Sequence, residues 1–228
     1  MRSKSTSVVN LDPIAVNNRH KDGVIGRFFK TKHFRGKRLN KCDEFGHYLF
    51  CGPQGSSKTS SALFFYEYLK KKYEKQKKKV VLYSNMGIGL PVDRFSLHET
   101  IYNLRYVPNV INIFIIDEIQ SYFPKDTKNR ELLNMIDLLT GDFSQLRKRQ
   151  AYVLSTSQVY GRLNKNLREQ CLYMVQCRRS MFNKCVNDFI PGDDIMCDDL
   201  GRWSGNAKYI FVHGLPKTQY DTHALILK

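Results

Sequence analysis

Apolar positions along this chain recur with two periods, and the changes from one to the other lay out an order of strands and helices. Tyr48-Leu49-Phe50-Cys51 is a short apolar run of strand type, after which Ala62, Phe65, Tyr66, Leu69 and Tyr73 recur at three and four and predict a helix from about residue 58 to 72 or beyond. Val80-Val81-Leu82-Tyr83 reads as the next strand, with a turn at Asn85-Met86-Gly87 and a short helix over residues 95–104. Val110-Ile111-Asn112-Ile113-Phe114-Ile115-Ile116 is almost uninterruptedly apolar and rich in β-branched residues, the pattern of a strand buried on both faces. Leu132, Ile136, Leu139, Phe143 and Leu146 then form a helical stripe, predicting a helix over residues 128–148 that closes on Arg147-Lys148-Arg149. Strands follow at residues 151–157 and 172–177, with a terminal strand around 209–212, and no internal repeat is present. Strands alternating with helices in this way predict an α/β domain with a mostly parallel central sheet.

Composition adds a partner class. The 228 residues suit one α/β domain with extensions, and 37 Lys plus Arg against 21 Asp plus Glu give a formal net charge of +16. Such an excess favours a polyanion: nucleic acid first, an anionic membrane surface second. Residues 1–44 read as a basic arm or lead-in to a domain over 45–228. Residues 19–41 of that arm mix Arg and Lys with Phe28, Phe29 and Phe34, a combination that suits a nucleic-acid backbone and its bases but equally a segment packed on the domain edge. No apolar run approaches the ~18–20 residues that span a bilayer and no secretory leader pattern is present, so a cytosolic location is expected. Six cysteines include no C-x-x-C pair; Cys171, Cys177, Cys185 and Cys197 with His213 or His223 fit no common zinc spacing, and reduced thiols are expected.

The chemistry lies in two motifs. Gly52-Pro53-Gln54-Gly55-Ser56-Ser57-Lys58-Thr59 follows the first strand and opens the first helix, the context in which a Walker A loop cradles phosphates. Glycines at 52 and 55 let backbone amides turn inward as a nest, the helix N-terminus at Ser60 adds its dipole, Lys58 offers a point charge to the β and γ phosphates, and Thr59 offers a hydroxyl to Mg²⁺. Glycine ordinarily precedes the lysine; here Ser57 does, and a positive φ there would cost about 1 kcal/mol or more.

About sixty residues on, the buried strand ends in Asp117-Glu118, a Walker B arrangement that fits Asp117 to the Mg²⁺ shell and Glu118 to the attacking water. A Gly/Ser-rich turn beside a lysine, or a core strand tipped with two acids, would each be unremarkable alone, but their coincidence in one chain points to ATP with Mg²⁺. The strand over 151–157 brings Gln158 to the same carboxyl edge, where it is a candidate sensor of the γ-phosphate.

Together with Ile115-Ile116-Asp117-Glu118-Ile119-Gln120-Ser121-Tyr122-Phe123-Pro124 and the segment from Leu146 to Gln158, the phosphate loop resembles the FtsK/HerA superfamily of DNA-pumping ATPases. The likeness is to the zonula occludens toxin-like ATPases of filamentous phages and the genome-packaging ATPases of tailless viruses. It implies a RecA-like (ASCE) fold, ATP-driven DNA translocation, and a homo-oligomeric ring of five or six subunits in which an arginine completes the neighbour's site. By position, Arg147 or Arg149 is the candidate finger, with Arg168 behind them. The filamentous-phage relatives continue into a membrane-spanning segment; this chain stops without one, which favours packaging, with a capsid or portal-vertex protein as a candidate partner and the host cytoplasm or the virion as the location. Two alternatives stay open: a replicative helicase or helicase loader, and a nucleotide-binding, DNA-associated structural subunit with weak turnover.

Overall fold

The structure is a computed structural model that describes residues 39–180, 184–198, 202–218 and 220. The basic stretch over 19–38 and His223 therefore lie outside the described residues.

Among the described residues there are ten strands and five α-helices, of which six strands and three helices are those the periodicities predict. In chain order they are β1 (Gly46–Cys51), α1 (Lys58–Lys75), β2 (Lys79–Ser84), β3 (Leu90–Pro91), α2 (Arg94–Asn103), β4 (Val110–Ile116), α3 (Ile119–Tyr122), α4 (Arg130–Ser144), β5 (Ala151–Ser157), α5 (Lys165–Glu169), β6 (Cys171–Arg179), β7 (Cys185–Pro191), β8 (Met196–Cys197), β9 (Trp203–Ser204) and β10 (Tyr209–His213). Eight strands form one sheet in the order β10-β7-β6-β1-β5-β4-β2-β3, and β8 pairs with β9 apart from it. From β3 to β6 every pairing is parallel; β7 and β10 then add an antiparallel edge.

Alternation along β4 divides the core. Ile111, Ile113 and Ile115 join Phe50, Tyr152 and Leu154 beneath Leu63, Phe65 and Leu69 of α1. Phe114 and Ile116 join Leu49 and Val153 against Leu97 of α2 and Ile136, Leu139 and Phe143 of α4. A strand covered by helices on both faces must be apolar at odd and even positions alike, which is why β4 shows no alternation of polarity.

Besides the short elements β3, β8, β9, α3 and α5, which the periodicities do not show, two longer ones depart from expectation. Helix α4 stops at Ser144 rather than 148: the Gln145 amide bonds back to the carbonyls of Asp142 and Phe143, and turns carry the chain to Gln150, whose φ is 50°. Arg147, Lys148 and Arg149 thus sit in the turn before β5, not on a helix end. Strand β7 was not anticipated, because Asn187-Asp188 interrupts its apolar run; Asn187 is buried, accepting from Ser61 Oγ at 2.8 Å, with its Nδ2 2.9 Å from His213 Nε2.

His47 is fully buried in β1, Nε2 2.6 Å from Ser155 Oγ and Nδ1 3.3 Å from Cys171 Sγ, its ring edge-on to Phe143. Five of the six cysteines are buried too, and burial pushes the thiols of Cys42 and Cys177 up to about 12. Burial drives the His47 pKa down to about 3. The unfolded chain, with an ordinary imidazole near 6.5, therefore binds a proton that the folded chain refuses, and stability falls as pH drops below 6.5. Urea midpoints measured from pH 7 to 5 should decline with a His47 share approaching about 1.4 kcal/mol per pH unit, and His47→Asn should flatten that slope.

Candidate nucleotide site

Parallel pairing brings the carboxyl ends of β1, β5, β4 and β2 to one edge, with Cys51 opposite Ser157, Ile116 opposite Ser155 and Ser84 opposite Ile115. The phosphate loop springs from β1 and the Asp-Glu pair from β4, with β5 between them. That interposed strand supplies the piece joining the two motifs.

Gly52 opens the loop with its N–H on the Ser157 carbonyl at 3.3 Å; a Cβ there would lie 2.7 Å from the Cys177 carbonyl oxygen, so only glycine fits. Gly55 has φ 78°, and Ser57, immediately before α1, has φ 67° and ψ 31° with no side-chain cap. The serine thus sits in the left-handed region where glycine is ordinarily found, at a cost of about 1–2 kcal/mol. Lys58 is only 8% exposed, its Nζ folded back to donate to the Pro53 carbonyl at 3.2 Å, while Pro53, Gln54 and Gly55 are exposed and Ser60 is half-buried. Ser56 Oγ is buried with no partner among the described residues. A buried hydroxyl without a partner costs about 1–3 kcal/mol, and a phosphate oxygen would satisfy it.

The two motifs touch. Thr59 Oγ1 donates to Asp117 Oδ1 at 2.9 Å, and Thr156 Oγ1 of β5 donates to the same oxygen at 2.7 Å while accepting the Glu118 N–H at 2.9 Å. Asn85, 1% exposed at the end of β2, clamps the peptide of Asp117 from the other side: its Oδ1 accepts the Asp117 N–H at 2.9 Å, and its Nδ2 donates to the Asp117 carbonyl at 3.0 Å and to Tyr122 Oη at 3.2 Å. Glu118 stands in left-handed backbone, φ 51° and ψ 47°, and its carboxylate accepts from Gln120 Nε2. Lys58, Thr59, Asp117 and Glu118 are thus brought to one edge, and the Thr59 hydroxyl beside a carboxylate is a hard-oxygen pair that suits Mg²⁺.

Gln158 shares this edge, and the three arginines lie elsewhere. Gln158 is exposed just past the end of β5. Arg147 is exposed, and Arg149 pairs with buried Asp142 at 3.1 Å, donates to the Ile101 carbonyl and covers the Tyr102 ring. Both precede β5, at the opposite end of a seven-residue strand, roughly 20 Å from the loop of the same chain. Arg168 is 8% exposed, donating to Cys197 Sγ and lying over the Tyr160 ring. Asn85 and Thr156 were not singled out from the sequence; polar residues at strand ends are ordinary until strand order makes them neighbours of Asp117. Among the described residues no group of three or more His, Cys, Asp or Glu side chains is arranged to hold a metal, and no helix is long and apolar enough to cross a membrane.

No family model and no curated protein matches the chain. Solved structures do. It is similar to the N-terminal domain of zonular occludens toxin from Neisseria meningitidis, at 16% identity over 76% of this chain and 96% of that one, TM-score 0.50. It is similar also to a DnaB-like replicative helicase, at 12% identity over 86% of this chain and 64% of that one, TM-score 0.51. The genome packaging NTPase of Sulfolobus turreted icosahedral virus 2 aligns at 8% identity over 71% of this chain and 96% of that one, TM-score 0.45. The chain has a RecA-like P-loop NTPase fold.

Two substitutions probe the site's internal economy. Ser57→Gly should raise the unfolding free energy by about 1 kcal/mol in urea titration, because the left-handed conformation no longer opposes a Cβ. Asn85→Ala should lower it by about 1–3 kcal/mol, through orphaning of the Asp117 peptide, and should weaken nucleotide binding in the same preparation.

Proposed function

We propose that this chain is an ATPase that couples hydrolysis to DNA movement, most specifically the packaging of a viral genome. The observation that carries the ATPase part is the shared oxygen of Asp117, which draws Thr59 of the phosphate loop and Thr156 of the interposed strand onto one carboxylate. DNA as the polyanion rests on the net charge of +16, and backbone contacts carry no base code, so little sequence preference is expected.

In this reading the backbone N–H groups of Gln54, Gly55, Ser57 and Lys58 and the Lys58 ammonium hold the β and γ phosphates, with Ser56 Oγ as a further donor. Thr59 and Asp117 hold Mg²⁺, which when bound neutralises charge on the phosphate oxygens. Glu118 polarises the attacking water once its carboxylate is free of Gln120. Gln158 senses the γ-phosphate, and an arginine from a neighbouring subunit, Arg147 or Arg149, meets the charge developing on the transferred phosphoryl group.

A binding subunit with weak turnover is the second reading, favoured by the strained Ser57. Turnover decides between them. DNA-stimulated ATP hydrolysis should fall about 10²-fold or more in Glu118→Gln with nucleotide binding retained, and Lys58→Ala should lose both. Wild-type protein that binds ATP and DNA without hydrolysis would establish the weaker reading, and strand separation without tracking on intact duplex would identify a helicase instead.

A further inference from the structure

Two loops meet at the amino edge of the sheet, opposite the phosphate loop. The turn from α1 to β2 and the loop from α2 to β4 are joined by the Lys79 N–H on the Asn109 carbonyl at 2.7 Å, and Lys79 lies opposite Val110 where both strands begin. Paired strands run about 4.8 Å apart, so side chains of the two segments share one surface. β3 pairs only with the far end of β2, which leaves this corner on the outside of the sheet.

The corner is basic and its cations are largely free. Residues 70–79 hold seven lysines and one acid, and residues 102–109 add Arg105 and no acid. Glu74 is taken by Lys70 at 3.9 Å, Lys72 by Asp43 at 2.8 Å, and Lys78 lies over the Tyr73 ring. Lys75, Lys77, Lys79 and Arg105 are exposed and form no ion pair among the described residues. Lys77 closes α1 in left-handed backbone, φ 58°, with the Lys78 N–H on the Tyr73 carbonyl at 3.0 Å. Glycine ordinarily fills that place, so the lysine keeps a charge on this corner against its backbone preference. Among the cations stand two rings: Tyr106 is 59% exposed, and Tyr102, exposed to the same extent, has the Arg149 guanidinium over it. Free cations in a row suit a polyanion, and exposed rings between them offer faces on which unpaired bases stack, a contact closed to a duplex whose bases already stack on one another.

We propose that this corner grips single-stranded DNA, with the backbone on Lys75, Lys77, Lys79 and Arg105 and bases stacked on Tyr102 and Tyr106. The inference rests on the function proposed above and deepens it by naming the strand form and the surface that holds it. Arg147, which precedes β5 nearer the centre of the sheet, takes no part in this contact.

The test uses the full chain with a fluorescent mixed-sequence oligonucleotide, the same sequence as a duplex, and phosphatidylserine vesicles, measuring affinity across salt together with ATP turnover and oligomeric state. The triple variant Lys75→Gln, Lys77→Gly and Arg105→Gln should bind the single strand about tenfold or more weakly, with the slope of log affinity against log salt reduced by about two, at about 0.7 per phosphate contact. Lys77→Gly alone should lose affinity while its urea midpoint rises, which separates the lost charge from lost structure. Tyr106→Ala should weaken single-strand binding about fivefold or more at an unchanged salt slope and leave duplex binding as it is. DNA-free ATP turnover should stay at the wild-type rate in all three. Triple and Tyr106→Ala variants with wild-type affinity overturn this corner as the contact, while DNA-stimulated turnover in the same preparations would leave the broader function standing. Vesicle binding lost in the triple variant with oligonucleotide binding retained overturns it in favour of a lipid surface, and a changed oligomeric state at unchanged DNA affinity overturns it in favour of a subunit contact. Wild-type protein that binds neither form of DNA overturns the broader function and this inference together.

Discussion

One carboxylate oxygen organises the nucleotide edge of this protein. Asp117 Oδ1 accepts hydroxyl hydrogen bonds from Thr59 at 2.9 Å and Thr156 at 2.7 Å, so three segments far apart in sequence meet on a single atom. The meeting is possible only because β5 lies between β1 and β4: had those strands been neighbours, no third strand would deliver a hydroxyl between the loop and the acid. Asn85 completes the enclosure from β2 by taking both hydrogen-bonding groups of the Asp117 peptide, continuing the sheet ladder with a side chain where the strand itself has ended.

The antiparallel edge buttresses the same site from the other side. Ser61, one turn into α1, donates to Asn187 of β7, which in turn meets His213 of β10, and His213 stacks on Phe64 of α1 at 4.0 Å. The N-terminal turn of α1, which follows the phosphate loop directly, is thereby tied to two strands outside the parallel core. Burying an asparagine and a histidine is favourable only when their donors and acceptors are paired, which fixes helix and strands in a single register.

What could be read from the sequence follows what each residue's environment demands. β4 was legible because burial on two faces requires an unbroken apolar run, and α1 because one covered face imposes spacings of three and four. The left-handed serine could be expected from motif geometry, since the loop requires that backbone whatever residue occupies it. β7 was hidden because its buried polar residues serve partners on α1 and β10 that only the fold supplies. The end of α4 was misjudged for a related reason: the apolar stripe runs on through Leu146, but buried Asp142 draws Arg149 back and the chain turns.

That same ion pair bears on which arginine could serve a neighbouring site. Asp142 is 5% exposed and bonded to both Arg149 and His98, so moving the Arg149 guanidinium to another subunit would strip one partner from a buried carboxylate. Removing a partner from a buried pair costs about 3–5 kcal/mol, a sum comparable to what a transferred arginine contributes to phosphoryl transfer. Arg147 carries no such debt. It is exposed, two residues away, on the edge of the sheet opposite the phosphate loop. An arginine on that edge can meet a triphosphate only if the amino edge of one sheet abuts the carboxyl edge of the next, a head-to-tail contact of the heterologous kind that closes into rings.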